Sequence, residues 1–113
     1  MTPSVSGHGT LIQFGPAETV TVSLNPTSIL ANGTSTSTAT ATVDDINGNP
    51  VTGDHLTFTS SDPGERISAV TDHPNGTYTV TITSSTTPGT PTITATDTSV
   101  TPNISGNATL TQT

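Results

Sequence analysis

The 113-residue chain has no cysteine, no lysine and no tryptophan, and Arg66 is its one residue of the Lys/Arg type. Without cysteine there is no disulfide and no thiolate metal site. Without lysine there is no amine for a Lys–Asn isopeptide cross-link. A folded domain of this composition is held by its core and its hydrogen bonds alone. One such cation stands against eight carboxylates, a formal net charge of −7. Nucleic-acid binding needs several Lys or Arg side chains to displace counterions from phosphates, so that class of partner is excluded. Attraction to anionic lipid fails for the same reason. Aromatic residues are 3% of the chain, namely Phe14, Phe58 and Tyr78. Sugar-binding modules stack glycans on exposed rings, and this chain has almost none to offer. No apolar run is long enough for a membrane-spanning helix, and no signal-peptide pattern is present.

What the chain does have is threonine, about a quarter of its residues, set in alternation with Val, Ile and Ala. Low hydrophobicity can mean disorder. Here charge is also low, at 8%, and the β-branched alternation points to strands. Thr19 to Leu24 puts Val20, Val22 and Leu24 on one face, and Ile29 follows after the Asn25-Pro26 break. Ser35 to Asp44 faces Ala39, Ala41 and Val43 inward. His55 to Ser60 does the same with Leu56 and Phe58. A short strand is predicted from Glu65 to Thr71 with Ile67 inward. Thr77 to Ser84 presents Tyr78, Val80 and Ile82, Thr92 to Thr96 presents Ile93 and Ala95, and a last strand carries Ala108 and Leu110. Turn signals separate these runs every eight to twelve residues, as in a sandwich or barrel; His73-Pro74-Asn75-Gly76 is the clearest hairpin signal. The expected fold is all-β, an immunoglobulin-like β-sandwich of about seven antiparallel strands.

The chain also repeats itself. Thr2-Pro3-Ser4-Val5-Ser6-Gly7-His8-Gly9-Thr10-Leu11-Ile12-Gln13 returns as Thr101-Pro102-Asn103-Ile104-Ser105-Gly106-Asn107-Ala108-Thr109-Leu110-Thr111-Gln112. Seven of these twelve positions are identical, and Gln13 and Gln112 are the only glutamines in the chain. An offset of 99 residues suits an array of whole domains rather than a solenoid, whose repeats are shorter. Residues 1–16 are therefore expected to be the last strand and linker of a preceding repeat, and residues 17–113 a complete domain. Phe14-Gly15-Pro16-Ala17-Glu18 is the linker candidate.

Ala31-Asn32-Gly33-Thr34, the Ala/Thr alternation into Val43, and Asp45-Ile46-Asn47-Gly48-Asn49-Pro50-Val51 together resemble the bacterial Ig-like (Big_1) repeats of the invasin/intimin adhesin family. Asn75-Gly76-Thr77-Tyr78-Thr79-Val80-Thr81-Ile82-Thr83-Ser84 and Thr92-Ile93-Thr94-Ala95 resemble that family's fifth and sixth strands. The similarity runs from about Val20 to Thr113, and Asn-Gly-Asn-Pro-Val after the second strand is its most specific element. The usual basic residues of such repeats are nearly absent. The resemblance implies extracellular tandem stalks on the bacterial cell surface that project a terminal adhesive domain toward a host receptor. Neighbouring repeats of the same chain are then the partners, with a monomer in isolation.

Candidate chemistry is thin. His8, His55 and His73 each stand alone in a strand end or turn, without ligand spacing. Asp44, Asp45, Asn47 and Asn49 form an oxygen-rich run of the kind calcium prefers. It superficially resembles a cadherin linker motif, but the glycine is misplaced for an EF-hand loop, and an Asx-bonded turn needs no metal. A second calcium variant has Glu18, Asp54 or Asp97 converging at a domain junction. No serine sits in a nucleophile elbow. Ser6-Gly7-His8-Gly9 reads Ser105-Gly106-Asn107-Ala108 in the second copy, which removes its histidine. Asp62 and Glu65 flank a turn without the apolar pocket that raises an acid's pKa. Asn32, Asn75, Asn103 and Asn107 each begin an N-x-Ser/Thr sequence, as this composition produces by chance. No catalytic residue, metal or cofactor is expected. The leading expectation is a non-enzymatic spacer. The alternative is a receptor- or glycan-binding Ig-like module of a surface, S-layer or phage protein, gripping through loops.

Overall fold

The computed structural model describes residues 16–113. Of the expected carried-over strand and linker at residues 1–16, all but Pro16, and with them His8 and Phe14, lie outside the described residues. Ten strands and no helix make up the described part: β1 (Ala17–Asn25), β2 (Ser28–Ile29), β3 (Thr36–Asp45), β4 (Leu56–Ser60), β5 (Arg66–Ile67), β6 (Thr71–Asp72), β7 (Thr77–Thr83), β8 (Thr92–Asp97), β9 (Ile104–Thr109) and β10 (Thr111–Gln112). One sheet runs β1-β3-β7-β5, with β6 also on β7; a second runs β4-β8-β9; β10 pairs with β2 in parallel. β1 with β2, β5 with β6, and β9 with β10 are broken single strands, which leaves seven. Named in chain order, they stand as A-B-E-D on one sheet and C-F-G on the other, the constant-type immunoglobulin arrangement.

The alternation read from the sequence explains the core. Val20, Val22 and Leu24 of β1, Ala39, Ala41 and Val43 of β3, and Tyr78, Val80 and Ile82 of β7 are all buried. Cross-strand pairing sets large against small: Tyr78 lies opposite Ala41, and Val80 opposite Ala39. Ile93 and Ala95 of β8, with Leu56, answer from the second sheet. Two expectations need correcting. The strand from Glu65 to Thr71 is not continuous. Arg66 and Ile67 pair with Thr83 and Ile82, but Thr71 and Asp72 pair with Thr79 and Tyr78. Between those pairs, residues 68–70 face only residues 80–81, which is a bulge. Within it, Ser68 Oγ accepts from Thr81 N–H at 2.8 Å. Phe58 is only half-buried. It packs against both halves of the core, but β4 is the edge of its sheet and leaves one side of the ring in solvent.

Two glycines fix the geometry. At Gly106 in β9, a Cβ would overlap the Val20 carbonyl oxygen of β1. The two sheets close on each other there, backbone to backbone. Gly76 has φ +81°, and a Cβ there would fall 2.5 Å from Pro50 Cβ. It closes the 73–76 hairpin, where His73 N–H donates to Thr77 O.

Candidate functional site

The chain enters and leaves at opposite poles. Ala17 pairs with Asp45 at the N-terminal pole. Gln112 bridges to Gly89 at the C-terminal pole, where β10 meets β2. Between the poles run the nine residues of β1, about 30 Å of strand.

At the N-terminal pole, Asp45 is buried and spends its carboxylate on its own turn. Its Oδ1 accepts from the Asn47 and Asn49 N–H groups, both at 2.9 Å, and its Oδ2 from Asn49 Nδ2. This is the Asx-bonded arrangement, and it engages Asn47 and Asn49 of the calcium alternative through their backbones. The turn leaves Ile46 78% exposed at its tip. Beneath it, the fully buried Tyr78 hydroxyl donates to Val51 O at 2.8 Å and accepts from Asp54 N–H at 3.1 Å. Burial raises the Tyr78 pKa, Asp72, Asp54 and Asp97 add to it by charge, and the Asp54 N–H opposes it. Asp54 and Asp97 lie next to each other within this one domain, with Asp72 close enough to act on Asp54 by charge. Glu18 instead lines an open groove beside them with Ser99, Val100 and Pro102.

The C-terminal pole is a polar cluster that sequence reading missed. Gln112, buried, donates through Nε2 to Asp62 Oδ2 at 2.9 Å, Thr87 O at 3.0 Å and Ser85 Oγ at 3.2 Å. Its Oε1 accepts from Ser85 N–H at 3.0 Å. Asp62 also accepts from Ser85 Oγ and from Gly64 N–H. The Ser85 hydroxyl, then the Gly64 N–H and the Gln112 amide, hold the Asp62 carboxyl below its ordinary range. Ser60 donates to Glu65, whose pKa is raised by burial and by the Asp62 charge, against that hydrogen bond. The cluster ties three segments together. Ser85 Oγ gives its proton to Asp62 and takes donors from Gln112 and Thr87 N–H, so its hydrogen-bonding capacity is fully engaged within the pole. Gln112, one of the chain's two glutamines, carried the available signal: it recurs in register with Gln13.

The remaining expected residues stay apart. His55 is exposed, and the His73 ring bonds Thr79 Oγ1 at 2.9 Å. Asn32, Asn75, Asn103 and Asn107 are all exposed. Asn32 caps the backbone of Thr34 and Ser35, and Asn75 that of Thr77. Among the described residues, no three His, Cys, Asp or Glu side chains gather into a metal shell. Among the same residues, no helix is long and apolar enough to cross a membrane.

An A-B-E-D/C-F-G sandwich with hydrogen-bonded poles defines an immunoglobulin-like domain. The chain belongs to the family described as invasin, domain 3, whose model matches residues 16–113. Among solved structures it is similar to the Yersinia pseudotuberculosis adhesin InvE, with 35% identity over 79% of this chain and 26% of that one, TM-score 0.66. It is similar to invasin, described as a bacterial integrin-binding protein, with 31% identity over 83% of this chain and 19% of that one, TM-score 0.69. FdeC, an Escherichia coli adhesin, shares 27% identity over 90% of this chain and 34% of its own, TM-score 0.72. The chain thus spans about a fifth to a third of these relatives' lengths. No curated protein matches it. It is an Ig-like module of the adhesin type.

Proposed function

We propose that this module is a non-enzymatic spacer, one unit of a tandem Ig-like stalk on the surface of a bacterium. The observation that carries the reading is the set of residues shared by the two copies of the repeated phrase. Gly106 is where β9 and β1 touch, Leu110 is fully buried, and Gln112 ties the C-terminal pole together. Their counterparts Gly7, Leu11 and Gln13 keep the same residue types. Residues 2–13 are thereby fitted to be the same strand of a preceding domain. Only Phe14, Gly15 and Pro16 then separate Gln13 from β1, too short a linker for free rotation, and Pro16 stiffens it. The chain enters one pole and leaves the other, so linked units add length. The excess of carboxylates keeps neighbouring copies apart.

The partners are the flanking repeats. A distal domain of the parent chain carries any contact with a host receptor. Chains of one, two and three copies, measured by small-angle X-ray scattering, test this. The longest dimension should grow by a constant step of at least about 30 Å per copy, the length of β1. Copies that fold back with no increase, or saturable binding of a single copy to host cells, would overturn the reading.

A further inference from the structure

The N-terminal pole holds two neighbouring acids, each with a buried oxygen that meets no donor among the described residues. Asp97 ends β8 and is 0% exposed. Its Oδ1 accepts from Ser99 N–H at 2.9 Å. Asp54 lies two residues before Leu56, and Leu56 pairs with Asp97 across β4 and β8. The pairing brings the two carboxyls within hydrogen-bonding reach of each other. Oδ2 of Asp54 and Oδ2 of Asp97 are both buried and meet no donor among the described residues. Two carboxylate oxygens are both acceptors, so their contact repels unless something sits between them.

Among the described residues, the neighbours with a proton or positive charge to offer are engaged elsewhere or lie away from the pair. Tyr78 has one hydroxyl proton, and Val51 O takes it. Arg66 lies opposite Thr83, toward the other pole. The His73 ring is engaged with Thr79, and His55 is exposed. Asp72 adds a further negative charge. A calcium ion takes six to eight oxygens, and among the described residues no three metal-binding side chains are gathered. A proton needs only two oxygens.

We propose that Asp54 and Asp97 share one proton, and that this proton is a pH-sensitive latch fastening the loop before β4 to the end of β8. Burial, the bond to Asp97 and the charges of Asp97 and Asp72 push the Asp54 carboxyl from 3.8 up to about 7. Paired acids in one site behave this way, and the proton belongs to the pair. The unfolded chain gives up the proton near pH 3.8, while the folded chain keeps it until about pH 7. The folded state therefore binds more protons across that window, and stability falls as pH rises through it. The latch is closed in mild acid and open in mild base. The inference stands whether or not the module is a spacer.

Thermal melts in EDTA, from pH 5 to 8.5, test it on the wild-type chain, Asp97→Asn and Glu65→Gln. The amide introduced by Asp97→Asn keeps an oxygen to accept from Ser99 N–H and offers Asp54 a permanent donor. Between pH 5 and about 7, wild-type Tm should fall by on the order of 5–10 °C, below the full linkage value because the partly exposed Asp54 carboxyl is screened by solvent. Asp97→Asn should remove most of that fall. Glu65→Gln, at the far pole, removes another acid that burial raises and should take away only the smaller part of the fall. Parallel wild-type and Asp97→Asn curves would overturn the latch. So would a rise in Tm with millimolar calcium at pH 8 that Asp97→Asn abolishes, since the occupant would then be a cation. Carbon-13 NMR of the wild-type aspartate carboxyls gives a readout that does not depend on the variant folding: one should titrate near pH 7, and none above pH 6 would refute the proposal.

Discussion

Replacing Gln112 by methionine keeps the shape and apolar bulk of the side chain and removes its amide. Four hydrogen bonds go with it, but they do not count equally. Asp62 keeps the Ser85 hydroxyl and the Gly64 N–H. Ser85 Oγ keeps its acceptor Asp62 and its donor Thr87 N–H. Thr87 is exposed, so water can reach its carbonyl. Ser85 N–H is the group left stranded, because Ser85 is buried and Gln112 Oε1 is its acceptor. A stranded buried donor costs about 1–3 kcal/mol, and each ordinary bond lost adds about 0.5–1.5 kcal/mol. With partial relief by water, Gln112→Met should cost about 2–4 kcal/mol. That is a fall in Tm on the order of 10–25 °C for a domain this small. Far-UV circular dichroism in a urea titration gives the number, with the m-value checked for constancy. Gln112→Glu should be worse at neutral pH, since it loses the donors and sets a second carboxylate beside Asp62. Its deficit should shrink as the pH drops and the new acid regains a proton to donate. A loss under about 0.5 kcal/mol for Gln112→Met would show that the cluster does not hold the pole and would remove the structural reason for the repeated glutamine.

Gly106→Ala should unfold the domain or cost several kcal/mol, because its Cβ meets the Val20 backbone and not a movable side chain; a cooperative melt within about 5 °C of wild type would contradict that geometry. Tyr78→Phe should cost about 1–3 kcal/mol through the stranded Val51 carbonyl and Asp54 N–H, read by chemical denaturation. Phe58→Ala should cost about 2 kcal/mol, below the roughly 3–5 of a fully buried ring, since one side of Phe58 already faces water. In acid, the lowered pKa of Asp62 means its contribution is present above 3.8 and lost as pH falls below that; Asp62→Asn should flatten the acid limb of a Tm–pH curve.

The sheet and its core were legible because β-branched alternation has one physical reading. Val20, Val22, Leu24, Ala39, Ala41, Val43, Tyr78, Val80 and Ile82 all lie on the buried face that parity assigns them. Parity says nothing about an edge, so the half-exposure of Phe58 was out of reach. Nor does it see a one-residue slip, which is why Glu65 to Thr71 reads as one strand and folds as two. The polar clusters were hidden for another reason. Asp62 lies 23 residues from Ser85 and 50 from Gln112, and only the sandwich closure brings them together. Asp54 and Asp97 meet through the register of β4 on β8, which no local pattern encodes.

The two poles divide their labour by chemistry. At the C-terminal pole, both carboxylate oxygens of Asp62 and the amide of Gln112 have partners, and the Asp62 charge is favoured by three donors. Asp62 there stays charged from weak acid upward, while Glu65 beside it is pushed the other way by burial. At the N-terminal pole, Asp54 and Asp97 are short of one donor, and burial works against the Asp54 charge. That end has two states. Raising the pH opens the acid pair and adds a negative charge at the N-terminal pole, while Asp62 at the other pole keeps its charge. If such modules follow one another as proposed, the pole where β1 begins is the one whose charge and packing answer to pH, and the Asp54 N–H that bonds the Tyr78 hydroxyl carries that response to the edge of the core.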